Sequence, residues 1–135
     1  MGRYLLSLIL ITVLCGCEKA DLSNLHGSFS GTFVYMDPVS SKAPPPSGPV
    51  TISFSGNTYQ STGNPNRIPA GGSGTFKILS KEEISFEDRN FWTADFNWNT
   101  ILKGNYNYII KGDSLFLTRS ENGLSIIEYR LKRNL

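Results

Sequence analysis

The sequence predicts an all-β fold, an antiparallel up-and-down (meander) barrel of about eight strands that follows an N-terminal signal segment. Three observations predict it. Beyond residue 27, apolar residues alternate with polar ones along short runs, which is the period of a half-buried strand. Tight turn signals such as Gly56-Asn57 and Asn122-Gly123 separate the runs. No segment after residue 17 has a convincing helical period.

Eight or nine strands at this spacing fit either a barrel or a sandwich. Successive strands joined by tight turns favour the barrel, because Greek-key sandwiches need long crossing connections. The only long connections follow the first strand and precede the strand at Phe76.

The N-terminal segment has the pattern of a signal peptide. Arg3 is followed by an apolar run over residues 5–14 that is interrupted only by Ser7 and Thr12. The run is too short for a transmembrane helix, which needs about 20 apolar residues, but it suits the apolar region of a signal peptide.

The end of this run, Leu14-Cys15-Gly16-Cys17, resembles the bacterial lipobox. The resemblance implies cleavage before Cys17 and palmitate-type lipid on its thiol, because Cys15 lacks a small residue in front of it. It divides the chain into a signal peptide (1–16), a lipidated cysteine with a tether (17–26) and a barrel domain (27–135). It also implies an envelope protein anchored in the outer membrane. A plain secretory signal and a buried helix of a cytosolic fold are the alternatives.

Composition limits the function classes. Removing residues 1–16 leaves basic and acidic residues nearly balanced and interspersed. The sequence therefore shows no basic cluster of the kind that binds nucleic acid. Both cysteines lie in the lipobox, so the mature domain has no disulfide and its core must hold it together. We expect a monomeric domain.

The first strand and the loop after it have the clearest patterns. Phe29, Phe33 and Tyr35 fall on one face. Residues 37–49 contain five prolines, so they can form neither a helix nor a central strand. A loop of this length is typically functional or disordered.

The later strands follow the same alternation. Turns are predicted at 80–82, at Gly112-Asp113 and at Asn122-Gly123, with a longer loop over 64–72. The apolar faces of these strands carry, in chain order, Val50, Ile52 and Phe54; Tyr59; Phe76 and Ile78; Ile84 and Phe86; Trp92, Ala94, Phe96 and Trp98; Tyr106, Tyr108 and Ile110; Leu115 and Leu117; and Ile127, Tyr129 and Leu131.

The predicted barrel resembles the small lipocalin-like (calycin) barrels of short bacterial lipoproteins. Gly27-Ser28-Phe29 stands where lipocalins carry Gly-x-Trp, and the proline-rich segment matches their long first loop. The hairpin over 102–117 and the closing Tyr129-Arg130-Leu131 resemble their last strands. The resemblance implies a small apolar ligand inside the barrel. It also implies an aromatic–arginine contact, whose cationic half would be Arg119 or Arg130.

Aromatic residues are the candidate binding residues, and the strand register decides which of them face inward. A lumen filled by bulky side chains is one alternative, and a cavity that opens near the proline-rich loop is the other. The candidates for contact with a ligand or partner are Phe33, Tyr35, Trp92, Trp98, Tyr106 and Tyr108.

A second constellation surrounds the two tryptophans. Stacking on an aromatic ring with hydrogen bonds from neighbouring amides would suit a sugar. The alternative is that the tryptophans are core and the amides serve turns. The amides are those of Asn97, Asn99, Asn105 and Asn107.

Catalysis finds little support in the chain. His26 is the sole histidine, no cluster has metal-ligand spacing, and no Gly-rich loop precedes a helix. Paired carboxylates for glycoside hydrolysis would have to come from Glu82-Glu83, Glu87-Asp88 and Asp95. We therefore expect no enzyme, no cofactor and no metal.

The sequence thus favours a lipid-anchored, non-enzymatic binding module for a small apolar ligand or for a protein or glycan of the envelope. An inhibitor or accessory subunit with a solid barrel and binding loops is the alternative. An enzyme that acts on glycans is the third hypothesis.

Overall fold

A computed structural model describes residues 25–39 and 44–135. Eight antiparallel strands follow one another in chain order, and the last pairs with the first, so the barrel is closed. This confirms the predicted all-β up-and-down barrel. The strands are β1 (Gly27–Met36), β2 (Ser47–Ser55), β3 (Thr58–Ser61), β4 (Gly72–Ile78), β5 (Glu83–Asp88), β6 (Gly104–Lys111), β7 (Ser114–Glu121) and β8 (Ser125–Arg133).

A short 3₁₀ helix, Trp98–Thr100, lies between β5 and β6. Within residues 25–39 and 44–135, no helix is long and apolar enough to cross a membrane. The predicted signal peptide (1–16), Cys17 and the rest of the tether up to residue 24 lie outside the described residues.

The two ends of the barrel carry different connections. At one end, here called the turn end, lie the short turns 56–57, 79–82 and 112–113, together with Leu25, where the described chain begins. At the other, the loop end, lie the connections 62–71, 89–103 and 122–124, together with residues 37–39 and 44–46 of the connection between β1 and β2. All the longer loops therefore share one end.

Two of the predicted turns owe their form to glycine. Gly56 and Gly112 each begin a two-residue hairpin loop, with φ values of 58° and 57°. Only glycine adopts this left-handed conformation without strain, and it matches the twist of the flanking strands.

The proline-rich loop is shorter than predicted. Strand β2 begins at Ser47, so Pro49 belongs to a strand and not to the loop. Proline is tolerated there because β3 pairs with β2 only from Ile52 onward, which leaves no neighbouring strand beside Pro49 on that side.

The part of β2 that β3 does not reach is covered by the loop that follows β3. The Thr62 amide donates to the Thr51 carbonyl, and the Thr51 amide donates to the Thr62 hydroxyl, both at 2.9 Å. Near Gly48, the Ile68 carbonyl lies so close that a Cβ atom would stand 1.9 Å from its oxygen. The loop thus occupies the position of a longer β3.

Aromatic rings in contact with one another fill the lumen. Phe86 lies at the centre, with ring centroids 4.9 Å from Tyr59, 5.7 Å from Tyr106 and 6.4 Å from both Phe54 and Phe76. On the eight strands, most of the residues predicted on apolar faces are buried. The half-buried ones, which pack against this core, are Tyr35, Ile78, Tyr108 and Ile110. The barrel residues include no cysteine, so packing of this kind stabilises the fold without a disulfide.

A second group of rings continues this packing beside β1 and β8. Tyr129 lies 5.9 Å from Tyr106 and 5.0 Å from Phe33, measured between ring centroids. Between Phe29 and Phe33 in β1, Gly31 allows β8 to approach closely, because a Cβ atom there would lie 1.9 Å from the Arg130 carbonyl oxygen. Glycine at such a position marks a tight bend in a barrel wall.

The predicted partner of the first-strand aromatic residue was wrong. The β1–β8 register places Arg133 opposite Phe29, and its guanidinium lies 4.5 Å from the ring centroid. Arg119 instead lies over Tyr106, and Arg130 forms an ion pair with Glu128. The register of the closing strand, which the sequence does not reveal, decides which arginine reaches the ring.

The predicted strand through Trp92, Ala94, Phe96 and Trp98 was also wrong. Residues 89–103 form a loop with the 3₁₀ helix at its centre. Local hydrogen bonds hold these residues in turns. The Phe96 amide donates to the Thr93 carbonyl, and the Asn97 side chain caps the 3₁₀ helix. The spacing of the aromatic residues imitates a strand, but they contact one another and neighbouring loops.

Candidate functional site

The loop 89–103 closes the loop end of the barrel. Residues 100–102 are buried, and the Thr100 carbonyl accepts a hydrogen bond of 2.9 Å from the Ala70 amide. The Leu102 amide donates to the Gly71 carbonyl at 2.9 Å, and the buried Tyr59 hydroxyl donates to the Leu102 carbonyl at 2.6 Å. Hydrogen bonds therefore hold the end of this loop, residues 100–102, against the barrel and the loop 62–71.

The start of the same loop is held by Asp88, the last residue of β5. Its carboxylate accepts hydrogen bonds from the Trp92 indole, from the Asn90 amide at 2.7 Å and from the Ser73 backbone at 3.0 Å. Charge-assisted bonds of this kind are stronger than neutral ones, so the loop leaves the barrel in a fixed direction.

Arg67 joins the middle of this loop to the loop 62–71. Its guanidinium lies 4.1 Å from the centroid of the Phe96 ring and 2.7 Å from the Asp95 carboxylate. A hydrogen bond from Thr93, together with the Arg67 contact, lowers the pKa of Asp95 to about 2. The Phe96 ring in turn contacts Trp92, with centroids 4.8 Å apart.

The 3₁₀ helix places Trp98 beside a cation. The Lys103 ammonium lies 4.2 Å from the centroid of the Trp98 ring. The Asn97 side chain accepts a hydrogen bond of 3.0 Å from the Asn99 backbone, and the Asn99 side chain donates to the Tyr35 hydroxyl at 3.3 Å. The helix is thus attached to the rim of β1.

Two large aromatic side chains of this loop face the solvent. Phe91 is fully exposed, and 46% of Trp98 is exposed. On the neighbouring connections, Val39 and Leu124 are also exposed. Because hydrogen bonds hold the loop, a partner that contacts these side chains would not have to order the loop backbone.

The closed meander of eight strands is consistent with a lipocalin-like architecture. Comparison with protein-family models, with curated proteins and with solved structures found no match for this chain. A function for the loop end therefore has to be inferred from its own side chains.

The six predicted binding residues do not form one site. Phe33 and Tyr106 are buried in the lumen. The half-buried Tyr108 belongs to the turn end, where its hydroxyl donates to the Ser80 carbonyl at 3.2 Å. Tyr35 lies at the loop end beside the 3₁₀ helix. Trp92 and Trp98 share the loop 89–103 with that helix.

The asparagines that were candidates for hydrogen bonds to a sugar have other positions and partners in the structure. Asn97 caps the 3₁₀ helix and Asn99 bonds Tyr35. Asn105 and Asn107 lie on the outer face of β6, and Asn105 donates to Glu83 at 3.4 Å. Three of the four amides therefore serve the loop and the barrel wall, and they do not converge beside one tryptophan ring as a sugar site would require.

A groove lies under the proline-rich loop at the loop end. Its volume is about 290 Å³, close to the lower limit for small-molecule sites. The lining is mostly apolar and consists of Met36, Asp37, Pro38, Pro45, Pro46, Leu124 and Ile126. The groove lies outside the packed lumen, at the mouth where the sequence predicted a cavity as one alternative.

The carboxylates considered for glycoside hydrolysis are dispersed. Glu82 and Glu83 belong to the turn end, whereas Asp88 and Asp95 belong to the loop end. Asp95 is bound to Arg67, and its lowered pKa is the opposite of what a general acid needs.

Sequence reasoning missed Phe91, Arg67 and Lys103. Phe91 stands beside Trp92 in a polar stretch, and only its full exposure distinguishes it from a core residue. Arg67 has a positive φ of 59°, and its side chain reaches from one loop to the other. Nothing in the sequence signals the contact of Lys103 with Trp98.

Alkaline titration should reveal the buried phenols. Burial raises the pKa of Tyr59 and Tyr129 well above 10, and it raises the pKa of Tyr106 to about 12. The Tyr106 and Tyr129 hydroxyls also affect each other, because their contact lowers the pKa of Tyr106 and raises that of Tyr129. Because the folded state favours the neutral phenol, its stabilising effect is complete below about pH 10 and is lost as pH rises through the folded-state values.

We expect these tyrosines to ionise only together with unfolding, which phenolate absorbance and circular dichroism would follow in parallel. Tyr129→Phe should make the cooperative absorbance step smaller. Ionisation of every tyrosine near pH 10 with an unchanged dichroism spectrum would contradict the buried positions.

Proposed function

We propose that the chain is a lipid-anchored, non-enzymatic binding protein of the bacterial envelope, with a lipocalin-like barrel that presents its loop end to a protein partner. The observation that carries the proposal is the pair Phe91 and Trp98, which are exposed on a loop that is bonded to the barrel. Aromatic residues in such positions dominate the energetics of protein interfaces.

Because side chains fill the lumen, the loops are the better candidate for the contact surface. Aromatic rings contact one another from Phe29 through Phe54 and Phe86 to Tyr129. Residues 100–102 cover them at the loop end, and the buried Leu25 lies at the turn end. The solid barrel is then a scaffold, as in the hypothesis of an inhibitor or accessory subunit.

A small apolar ligand is the second candidate, and the groove beneath the proline-rich loop favours it. Apolar residues such as Met36, Pro46 and Ile126 line the groove, and Asp37 is the one charged residue in this lining. A groove of this size fits a ligand smaller than a typical drug molecule. Native mass spectrometry of protein purified from the envelope would reveal such a ligand as a reproducible mass increment.

The anchor is supported by the sequence motif Leu14-Cys15-Gly16-Cys17. Lipid on Cys17 would hold the barrel at a membrane, and two or more acyl chains make such attachment stable. We place the protein at the outer membrane.

Site-specific cross-linking tests the proposed contact surface. A photoreactive phenylalanine analogue in place of Phe91 or Trp98 should give a discrete cross-linked adduct in intact cells. The same analogue in place of Ser85, on the outer wall of β5, is the matched control and should give none. The double variant Phe91→Ala/Trp98→Ala should lower the affinity for the captured partner by about 30-fold, the effect of losing about 2 kcal/mol at a hot spot.

Adducts of equal yield from position 85 would contradict a partner surface at the loop end. An unchanged affinity of the double variant, with an unchanged melting temperature, would contradict the role of the two aromatic residues.

A further inference from the structure

We propose that the outer wall of the barrel docks on an anionic lipid bilayer through a patch formed by Ile109, Lys111, Phe116 and Lys132, here called the wall patch. The inference rests on the proposed function, because the lipid anchor is what would bring the barrel to a membrane. It adds a second, non-covalent contact and an orientation of the barrel relative to the bilayer.

The registers of β6, β7 and β8 bring these residues together. Lys111 pairs with Ser114, and Ser114 pairs with Lys132, so the two lysines flank one serine on the outer face. Strands lie about 4.8 Å apart, which separates the two lysine backbones by roughly 10 Å. In the next outward-facing row of the same wall, Ile109 stands directly opposite Phe116.

The side chains of the wall patch are accessible. Ile109 is 53% exposed, both lysines are exposed, and Phe116 is partly exposed. Neither lysine has an ion pair with any described residue. Arg130, opposite Phe116, is different, because Glu128 binds it through two contacts of 2.9 Å. The lysines therefore provide the uncompensated charge.

Lysines beside apolar side chains suit the boundary between headgroups and acyl chains. Ammonium groups meet lipid phosphates, while isoleucine and phenylalanine reach the acyl boundary. A bilayer offers both environments side by side, with phosphates at its surface and acyl chains directly beneath them. The chemistry thus favours a bilayer as the occupant.

The position of the wall patch agrees with the proposed anchor. Lys111 and Lys132 lie near the turn end, where the buried Leu25 begins the described chain. Seven residues separate Cys17 from Leu25, a stretch that spans roughly 30 Å at most. A lipid on Cys17 would therefore keep the turn end near the bilayer and leave Phe91 and Trp98 on the far side.

Charge is distributed unequally between the two ends. Among the described residues, basic side chains outnumber acidic ones at the turn end, and the reverse holds at the loop end. The turn end carries Lys77, Lys81, Lys111, Lys132 and Arg133 against Glu82, Glu83 and Asp113. This polarity would attract the turn end to an anionic surface.

Vesicle binding by protein without its lipid tests the inference. Residues 17–135 with Cys17→Ser contain the whole closed barrel and cannot be acylated. This protein should co-sediment with vesicles of phosphatidylcholine and phosphatidylglycerol, and much less with pure phosphatidylcholine. Lys111→Gln/Lys132→Gln should lower the partition coefficient by about 30-fold, because each lysine near an anionic surface contributes about fivefold. About 1 M salt should have a similar effect.

Two controls complete the experiment. Arg89→Gln removes one positive charge at the loop end and should leave binding nearly unchanged, whereas Lys111→Gln alone should lower the partition coefficient about fivefold. Ile109→Ser should weaken binding to anionic vesicles by severalfold, whereas Leu124→Ser should not. An equal loss in the charge control, or binding to heparin without binding to vesicles, would overturn the wall patch.

Absence of vesicle binding by the unacylated protein would also overturn the inference, and it would leave the anchor untouched. Mass spectrometry of the wild-type protein reports acylation independently, and cross-linking from position 91 reports the partner surface. Failure of the wall patch is therefore distinguishable from failure of the proposed function.

Discussion

Replacing Phe86 by alanine should lower the free energy of unfolding by about 3–5 kcal/mol, the range for a buried phenylalanine. Phe86 contacts four other rings across the lumen and is almost completely buried. Its removal would leave a cavity that the surrounding strands cannot close, because the barrel is hydrogen-bonded around its whole circumference. Urea denaturation of the wild-type and variant proteins measures the change.

Phe116→Ala is the matched control for this substitution. Phe116 lies on the outer face of β7 and is partly exposed, so we expect its loss to cost at most about 1.5 kcal/mol. Phe86→Leu should retain most of the stability, since it leaves a smaller void. If Phe86→Ala cost no more than Phe116→Ala, the lumen would not be filled as described, and a ligand inside the barrel would become the better hypothesis.

The second large effect is expected from Cys17→Ser, which should abolish lipid attachment. Serine has no thiol to acylate, and the lipoprotein peptidase requires the modified cysteine, so the precursor should retain residues 1–16. The mass of the purified polypeptide measures both changes at once. This readout is safer than sedimentation alone, because an uncleaved apolar segment holds a precursor at a membrane without any lipid.

Cys15→Ser provides the matched control for the anchor. Cys15 would be removed with the signal peptide, so its replacement should leave the mass of the mature protein unchanged. Lipid on the Cys17→Ser protein, or loss of lipid from the Cys15→Ser protein, would refute Cys17 as the attachment site.

The fold was largely predictable because its determinants are local. Alternation around Phe33 and Ile52 and the turn glycines Gly56 and Gly112 each specify a strand or a hairpin within a few residues. The register between β1 and β8 is not local, since it joins residues about 100 positions apart. For that reason the sequence suggested Arg119 or Arg130 as the partner of Phe29, whereas the structure has Arg133.

The candidate site was much less predictable. Trp92, Phe96 and Trp98 have the spacing of a strand, yet Asp88 and Asn97 hold them in a loop by side-chain hydrogen bonds. Whether an aromatic residue faces the core or the solvent depends on such contacts, which periodicity does not record. The wall patch could not be predicted from the sequence for a related reason. Ile109 and Phe116 become neighbours only through the pairing of β6 with β7.

The covered side of β2 bears on how closely copies of this protein can be crowded. A strand with free amide and carbonyl groups is a template for pairing with another chain, which leads to aggregation. Here β8 closes the barrel against β1. Thr62 forms hydrogen bonds with the Thr51 amide and carbonyl, which the short β3 does not reach. Proteins anchored in the plane of a membrane reach high local concentrations, at which exposed strand edges aggregate most readily. We therefore expect a closed barrel of this kind, if it is held at a membrane by the proposed anchor, to resist aggregation through strand edges.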